Sequence, residues 1–174
     1  MPAATALDNN QLRVGWDDYH RAIELLALKV HESDWKFDQI ICLARGGLRV
    51  GDILSRIFGL PLAILSVSSY REGHGTVRGT LDIAASVSMI GDALQGRVLL
   101  VDDLVDSGVT FKGVIQYLKE AHPAITELRS AVIWAKGSSV ILPDYFLHFL
   151  AENPWISQPF EIYDTMRPEQ LPRD

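Results

Sequence analysis

Three carboxylates, Asp102, Asp103 and Asp106, fall within five positions and run directly into Ser107-Gly108-Val109-Thr110. Carboxylates at that spacing accept hydrogen bonds from vicinal hydroxyls or from waters on Mg²⁺. Asp106 follows the pair by one short turn and can face the same cavity. The tetrapeptide after it offers backbone amides, two hydroxyls and the positive end of a helix dipole, which together suit a phosphate monoester. The plain alternative is an acidic turn that caps the next helix through Ser107. Three mutually repelling carboxylates without a cation argue against it.

Further candidates lie elsewhere in the chain. In Ala44-Arg45-Gly46-Gly47 the glycines let the backbone approach an anion and Arg45 adds a fixed positive charge, although a simple tight turn reads the same way. Lys136 ends the apolar run Ile133-Trp134-Ala135, where a surface charge is the commoner outcome. Trp155-Ile156 beside Pro154 and Pro159 is, on its own, usually core. Arg71, His74 and Arg78 sit in a polar, glycine-containing stretch and are candidate anion contacts.

These residues need elements to hold them. Trp16, Tyr19, Ile23, Leu26 and Val30 recur at steps of three and four, so a helix is expected from about 16 to 30, with Asp17 and Asp18 complementing its dipole. Gln39–Ala44, Leu62–Ser68 and Val98–Val101 read as buried strands. Two of them lead through glycine-containing loops into helical patterns: Leu48–Phe58, with Val50, Ile53, Leu54 and Ile57 inward and Gly59 closing it, and Thr110–Ala121, with Val114, Ile115 and Leu118 inward. Ser130–Ala135 and Tyr145–Leu150 continue the strand series. Strand, loop and helix repeated in this way predict an α/β fold, a parallel sheet flanked by helices. Ligands in such folds sit at the carboxyl ends of the strands. Residues 70–96 read as a long loop with a short strand near Leu81–Ser86, and loops of that length are functional or disordered.

At 174 residues, 48% of them hydrophobic, the chain is expected to form one domain, 1–174, with a real core. A formal charge of −6 disfavours nucleic acid as a partner. No apolar run approaches the length of a membrane span, so no transmembrane segment is expected. The N-terminus lacks a secretory pattern, and a single cysteine, Cys42, suits a reducing compartment; the cytoplasm is the expected location.

The run Val98–Thr110 resembles the phosphoribosyl pyrophosphate (PRPP) signature of type I phosphoribosyltransferases, in which apolar residues lead into two acids and a phosphate-holding loop. The resemblance extends from about Trp16 to Glu161. It implies that Asp102 and Asp103 bind the ribose hydroxyls, that Ser107, Gly108, Val109 and Thr110 hold the 5′-phosphate, and that Arg45 and Gly46 belong to the pyrophosphate loop. Residues 70–96 would supply a flexible lid and 151–165 a base-binding hood. Within the family, the Leu48–Gly51 and Trp155–Glu161 segments are similar to bacterial xanthine-guanine phosphoribosyltransferases. This implies Asp106 as the acid/base for the purine N7, Lys136 as donor to O6, Trp155 stacked on the ring and the Ile156 carbonyl near exocyclic groups. Asp102, Asp103 and Glu161 would place Mg²⁺. Val109, Gly137 and Glu161 depart from the residues usual in relatives.

The implied reaction is Mg²⁺-dependent transfer from PRPP to hypoxanthine, guanine or xanthine, releasing pyrophosphate, as in purine salvage, by a homodimer or homotetramer. Alternatives are a transferase for another nucleobase, a PRPP-sensing regulator of the same fold, and a phosphoacceptor receiver domain. The last needs its acids on separate strands, whereas here they share one loop.

Overall fold

The computed structural model describes residues 11–69, 81–84, 86–91 and 93–172. Five parallel strands form the frame: β2 (Gln39–Ala44), β3 (Leu62–Ser69), β6 (Gly96–Val105), β7 (Ile125–Lys136) and β8 (Tyr145–Leu150). Short β4 (Leu81–Ile83) and β5 (Ser88–Met89) add antiparallel to β3, and the order across the sheet is β4-β3-β2-β6-β7-β8, with β5 beside β3. Five residues of the stretch expected as a lid loop, Leu81–Ile83 and Ser88–Met89, are therefore tied to the sheet edge. Arg71, His74 and Arg78 lie outside the described residues.

Helices α1 (Trp16–Glu32) and α2 (Gly47–Phe58) cover one face, and α3 (Val109–Ala121) covers the other. Side-chain alternation along β6 divides the core between them. Leu99 and Val101 join the α1/α2 cluster with Tyr19, Leu26 and Leu54, while Val98 and Leu100 join Val114 and Leu118 of α3. Each Leu or Ile so enclosed contributes about 1.5–3 kcal/mol relative to exposure.

The helix boundaries follow local chemistry. Asp17 and Asp18 stand in the first turn of α1, and Gly59 ends α2 in the left-handed conformation, φ 65°. Two inward assignments differ from expectation. Ile57 is 51% exposed because α2 is ending there, and Trp16 is partly exposed under a neighbouring guanidinium. Beneath α2, Cys42 of β2 is fully buried. Burial first, and then the charge of Asp102, pushes its thiol up to about 12.

A second, small sheet was not foreseen. Strand β1 (Gln11–Arg13) pairs in parallel with β9 (Trp155–Ser157), and the Val14 amide extends the pairing to the Ser157 carbonyl at 3.0 Å. With α4 (Ile162–Thr165) this forms the hood, whose Ile156 and Phe160 pack onto the α1/α2 core. Among the described residues no helix is long and apolar enough to cross a membrane.

Candidate active site

Strands β2 and β6 are neighbours, but the chain leaves β2 for β3 on one side and leaves β6 for β7 on the other. That reversal of direction opens a crevice at their carboxyl ends, the usual ligand position in an open α/β sheet. The pairing of β2 with β6 stops at Cys42↔Val101, whereas β6 stays paired with β7 as far as Val105↔Ala135. Asp102 and Asp103 therefore lie within the strand, not on a loop after Val101 as the sequence suggested. One side of that strand is held by β7 and the other faces the crevice.

The two carboxylates are placed unequally. Asp103 is 9% exposed, and its Oδ2 accepts a hydrogen bond from Gln158 Nε2 at 2.6 Å. Asp102 is half-buried, and its Oδ1 accepts the Asp103 backbone N–H at 2.9 Å. Both carboxyls are held above the ordinary carboxylate range. For Asp102 the main cause is burial, followed by the charge of Asp103; for Asp103 it is burial, opposed by the bond from Gln158. Among the described residues neither makes an ion pair with a basic side chain.

The glycine loop after β2 is packed against this pair. The Ala44–Arg45 peptide is cis. A Cβ on Gly46 would lie 2.6 Å from Asp103 Oδ1, and one on Gly47 would lie 2.8 Å from the Val101 carbonyl oxygen. Only glycine fits so close to another backbone. Arg45 is exposed and makes a loose pair with Asp164 of α4 at 3.4 Å.

Strand register brings Asp106 and Lys136 together. Because Val105 sits opposite Ala135, the next residues meet, and Lys136 Nζ lies 3.2 Å from Asp106 Oδ1. The lysine side chain is 8% exposed and the aspartate is open to the crevice. Lysine side chains are rarely so buried unless paired, and Asp106 is that partner; spacing alone had suggested a surface charge.

Ser107 does not cap the following helix. The cap position of α3 belongs to Gly108, φ 74°, which has no side chain, so no side-chain cap bond forms there. Ser107 Oγ accepts the Val109 N–H only at 3.5 Å, a long contact that an incoming acceptor can replace, and the next amide of the first turn, that of Thr110, points the same way. The Ser107 carbonyl accepts the Val140 N–H at 2.9 Å, which fixes the loop from behind. A side chain at Gly108 would run into Ser139 Oγ.

In the hood, Trp155 is 59% exposed while Ile156 is buried, so the core expectation for this pair holds for the isoleucine alone. An exposed indole on a paired strand is a ready stacking surface. Glu161 has its carboxyl raised by burial first, with Asp103 and Asp164 adding to the effect. Asp102, Asp103 and Glu161 do not form a closed metal cage: among the described residues no three acidic, His or Cys side chains converge tightly enough to hold an ion.

Three residues of the site escaped sequence reasoning. Gln158 touches Asp103 from 55 positions away. Tyr19 lies fully buried nearby, its hydroxyl without a partner among the described residues; burial, then Asp103, raise its pKa, and Arg49 opposes them. Arg49 lays its guanidinium 4.2 Å from the Phe160 ring centre and 5.6 Å from that of Trp16, joining hood, α1 and α2. Gln158 sits inside the Trp155–Glu161 segment and Arg49 inside Leu48–Gly51, and that proximity to segments already singled out was the signal available; Tyr19 carried only its place on the inward face of α1.

Comparison with known proteins agrees with this geometry. The family model described as "Phosphoribosyl transferase domain" matches residues 15–165. A xanthine-guanine phosphoribosyltransferase of Idiomarina loihiensis is 32% identical over 156 residues, covering 89% of each chain. The crystal structure of a purine phosphoribosyltransferase from Pyrococcus horikoshii superposes with a TM-score of 0.71 at 32% identity, over 87% of this chain and 93% of that one. For a xanthine-guanine-hypoxanthine phosphoribosyltransferase of Helicobacter pylori the values are 0.73, 25%, 88% and 95%. With its acid pair, amide nest and glycine loop gathered at the sheet's switch point, the chain belongs to the phosphoribosyltransferases, enzymes of the glycosyltransferase type.

Proposed function

We propose that this enzyme moves the phosphoribosyl group of PRPP onto a 6-oxopurine (hypoxanthine, guanine or xanthine), giving the nucleoside monophosphate and pyrophosphate. The observation that carries the reading is the Lys136–Asp106 pair at 3.2 Å. It presents a donor beside an acceptor, the complement of a purine edge bearing O6 and an N7 proton. An adenine would set an amino donor against the lysine, which disfavours it. The name of the Idiomarina loihiensis relative, a xanthine-guanine phosphoribosyltransferase, points the same way, and that of the Pyrococcus horikoshii protein supports a purine.

In this reading the 5′-phosphate rests on the amides of Ser107–Thr110, and the Asp102/Asp103 pair accepts from the ribose hydroxyls. Pyrophosphate lies along Arg45 and Gly46, and Trp155 stacks on the base. The bond from C1′ to pyrophosphate oxygen breaks as the purine N9 lone pair bonds to C1′. The N7 proton passes to Asp106, and Lys136 holds O6 throughout. Mg²⁺, when bound, neutralises charge on the departing pyrophosphate. Two carboxylates raised by burial and without a basic partner suit an arriving dication. Asp102 and Asp103 would hold Mg²⁺ together with oxygens of the substrate, with Glu161 as a further carboxylate on the hood side.

The test is pyrophosphate release from PRPP with Mg²⁺ and each of hypoxanthine, guanine, xanthine and adenine in turn. Turnover with at least one 6-oxopurine, and little with adenine, is expected. Adenine as the best acceptor would overturn the reading, and so would no turnover with any base.

A further inference from the structure

Gln158 has no part in the chemistry described so far, yet few polar side chains are so enclosed. It is 5% exposed, and its Nε2 donates to Asp103 Oδ2 at 2.6 Å. Its own Oε1 is buried without a partner among the described residues. A buried amide that forgoes one hydrogen bond loses free energy unless the bond it does make matters. The bond it makes crosses from the hood to β6, over 55 positions of sequence. Gly46 closes on the same carboxyl, since a Cβ there would lie 2.6 Å from Oδ1 and could be accommodated only by moving the carboxyl. Asp103 is thus gripped between the pyrophosphate loop and the hood, with Oδ2 engaged by Gln158. The grip extends along the hood, since the Glu161 N–H donates to the Gln158 carbonyl at 3.1 Å and Trp155 begins the same segment.

We infer that Gln158 is a positioning residue that fixes the Asp103 carboxylate for PRPP and latches the base-binding hood to the PRPP loop. The role rests on the function proposed above. A charge-assisted bond of this length holds the carboxylate in one orientation. Order in the hood is thereby linked to the state of Asp103. Diol contacts that pull on Asp103 are transmitted to the strand that carries Trp155.

Two variants remove the latch in different ways: Gln158→Met keeps the volume and deletes the donor, and Gln158→Asn keeps the amide but shortens its reach. Three readouts apply: PRPP·Mg²⁺ affinity by calorimetry, steady-state constants for PRPP and for the base, and hydrogen exchange of amides 155–161 in the ligand-free protein. In both variants the Kd and KM for PRPP should rise about tenfold or more, the size expected for losing a hydrogen bond to a charged group. The kcat should change less than the PRPP constants, and amides 155–161 should exchange faster. Wild-type affinity for PRPP with wild-type exchange would overturn the inference. Parallel loss of PRPP affinity, base KM, kcat and melting temperature would also overturn it, because that marks a merely structural side chain. A wild-type protein that binds PRPP but turns over no base would sink the proposed reaction while leaving the PRPP comparison intact. If it does not bind PRPP at all, the positioning role fails with the reaction, and the exchange data judge the latch alone.

Discussion

Two strand-to-helix junctions stand side by side at the mouth of the sheet, β2 into α2 and β6 into α3, and they use glycine for opposite ends. At Gly46 and Gly47 the need is space: a neighbouring carboxyl and a neighbouring backbone approach to within what a Cβ would occupy. At Gly108 the need is conformation, φ 74°, together with the absence of a capping side chain. The first junction brings a cation, Arg45, and the second brings acids and the weakly engaged amides of a helix start. One supersecondary unit, repeated, thus yields two junctions of different character, each a candidate anion subsite in the proposed reaction.

The comparison can be broken most sharply at its chemical end. Asp106→Asn keeps the shape of the second junction but removes a proton acceptor, so kcat should fall about 100-fold or more while PRPP affinity holds. Equal losses in both would remove Asp106 from the proton path.

Next come the glycines. Gly47→Ala should cost about 2–3 kcal/mol in denaturant unfolding, because the obstacle is the Val101 carbonyl and cannot swing aside. Gly108→Ala should cost about 1–3 kcal/mol, part of it strain at positive φ. Adding Ser139→Gly should recover some of the Gly108→Ala loss, since that obstacle is a side chain. An equivalent rescue of Gly47→Ala by trimming a side chain would erase the distinction between the two junctions.

Smaller effects test the electrostatics. Asp102 binds its proton more tightly folded than unfolded, chiefly through burial. The folded state therefore gains relative stability at low pH and loses it as pH rises through the raised pKa. Asp102→Asn should raise the melting temperature of the ligand-free protein by a few degrees, about 1 kcal/mol in effect, at pH 7.5, flatten that dependence and abolish PRPP binding. Smallest of all, Arg45→Ala should leave stability within about 0.5 kcal/mol, because its pair with Asp164 is long and exposed, while weakening pyrophosphate binding.

Where sequence alone succeeded, the signal was local. The β2, β8 and α2 boundaries followed from apolar runs and Gly59, and the acid pair announced itself by spacing. Elsewhere the deciding forces act between distant segments. Strand β6 continues through Asp102 to Val105 because β7 offers a ladder that no local pattern reveals. Pairing of Asp106 with Lys136 is a consequence of that register. Three-residue β1 and β9 carry too little periodicity to be recognised, and each is a strand by virtue of the other. Gln158 reads as an ordinary polar residue before a proline until the fold carries it onto Asp103.

One consequence concerns Cys42, the sulfur under the floor of the crevice. With its thiol pushed up to about 12, almost none of it is thiolate near neutrality, and it is shielded from reagents by α2. Peroxide and alkylating agents should therefore leave this thiol untouched in the native enzyme, and activity should persist in buffers without reductant. Modification at this position would instead report unfolding, making the lone sulfhydryl a built-in gauge of how often the domain opens.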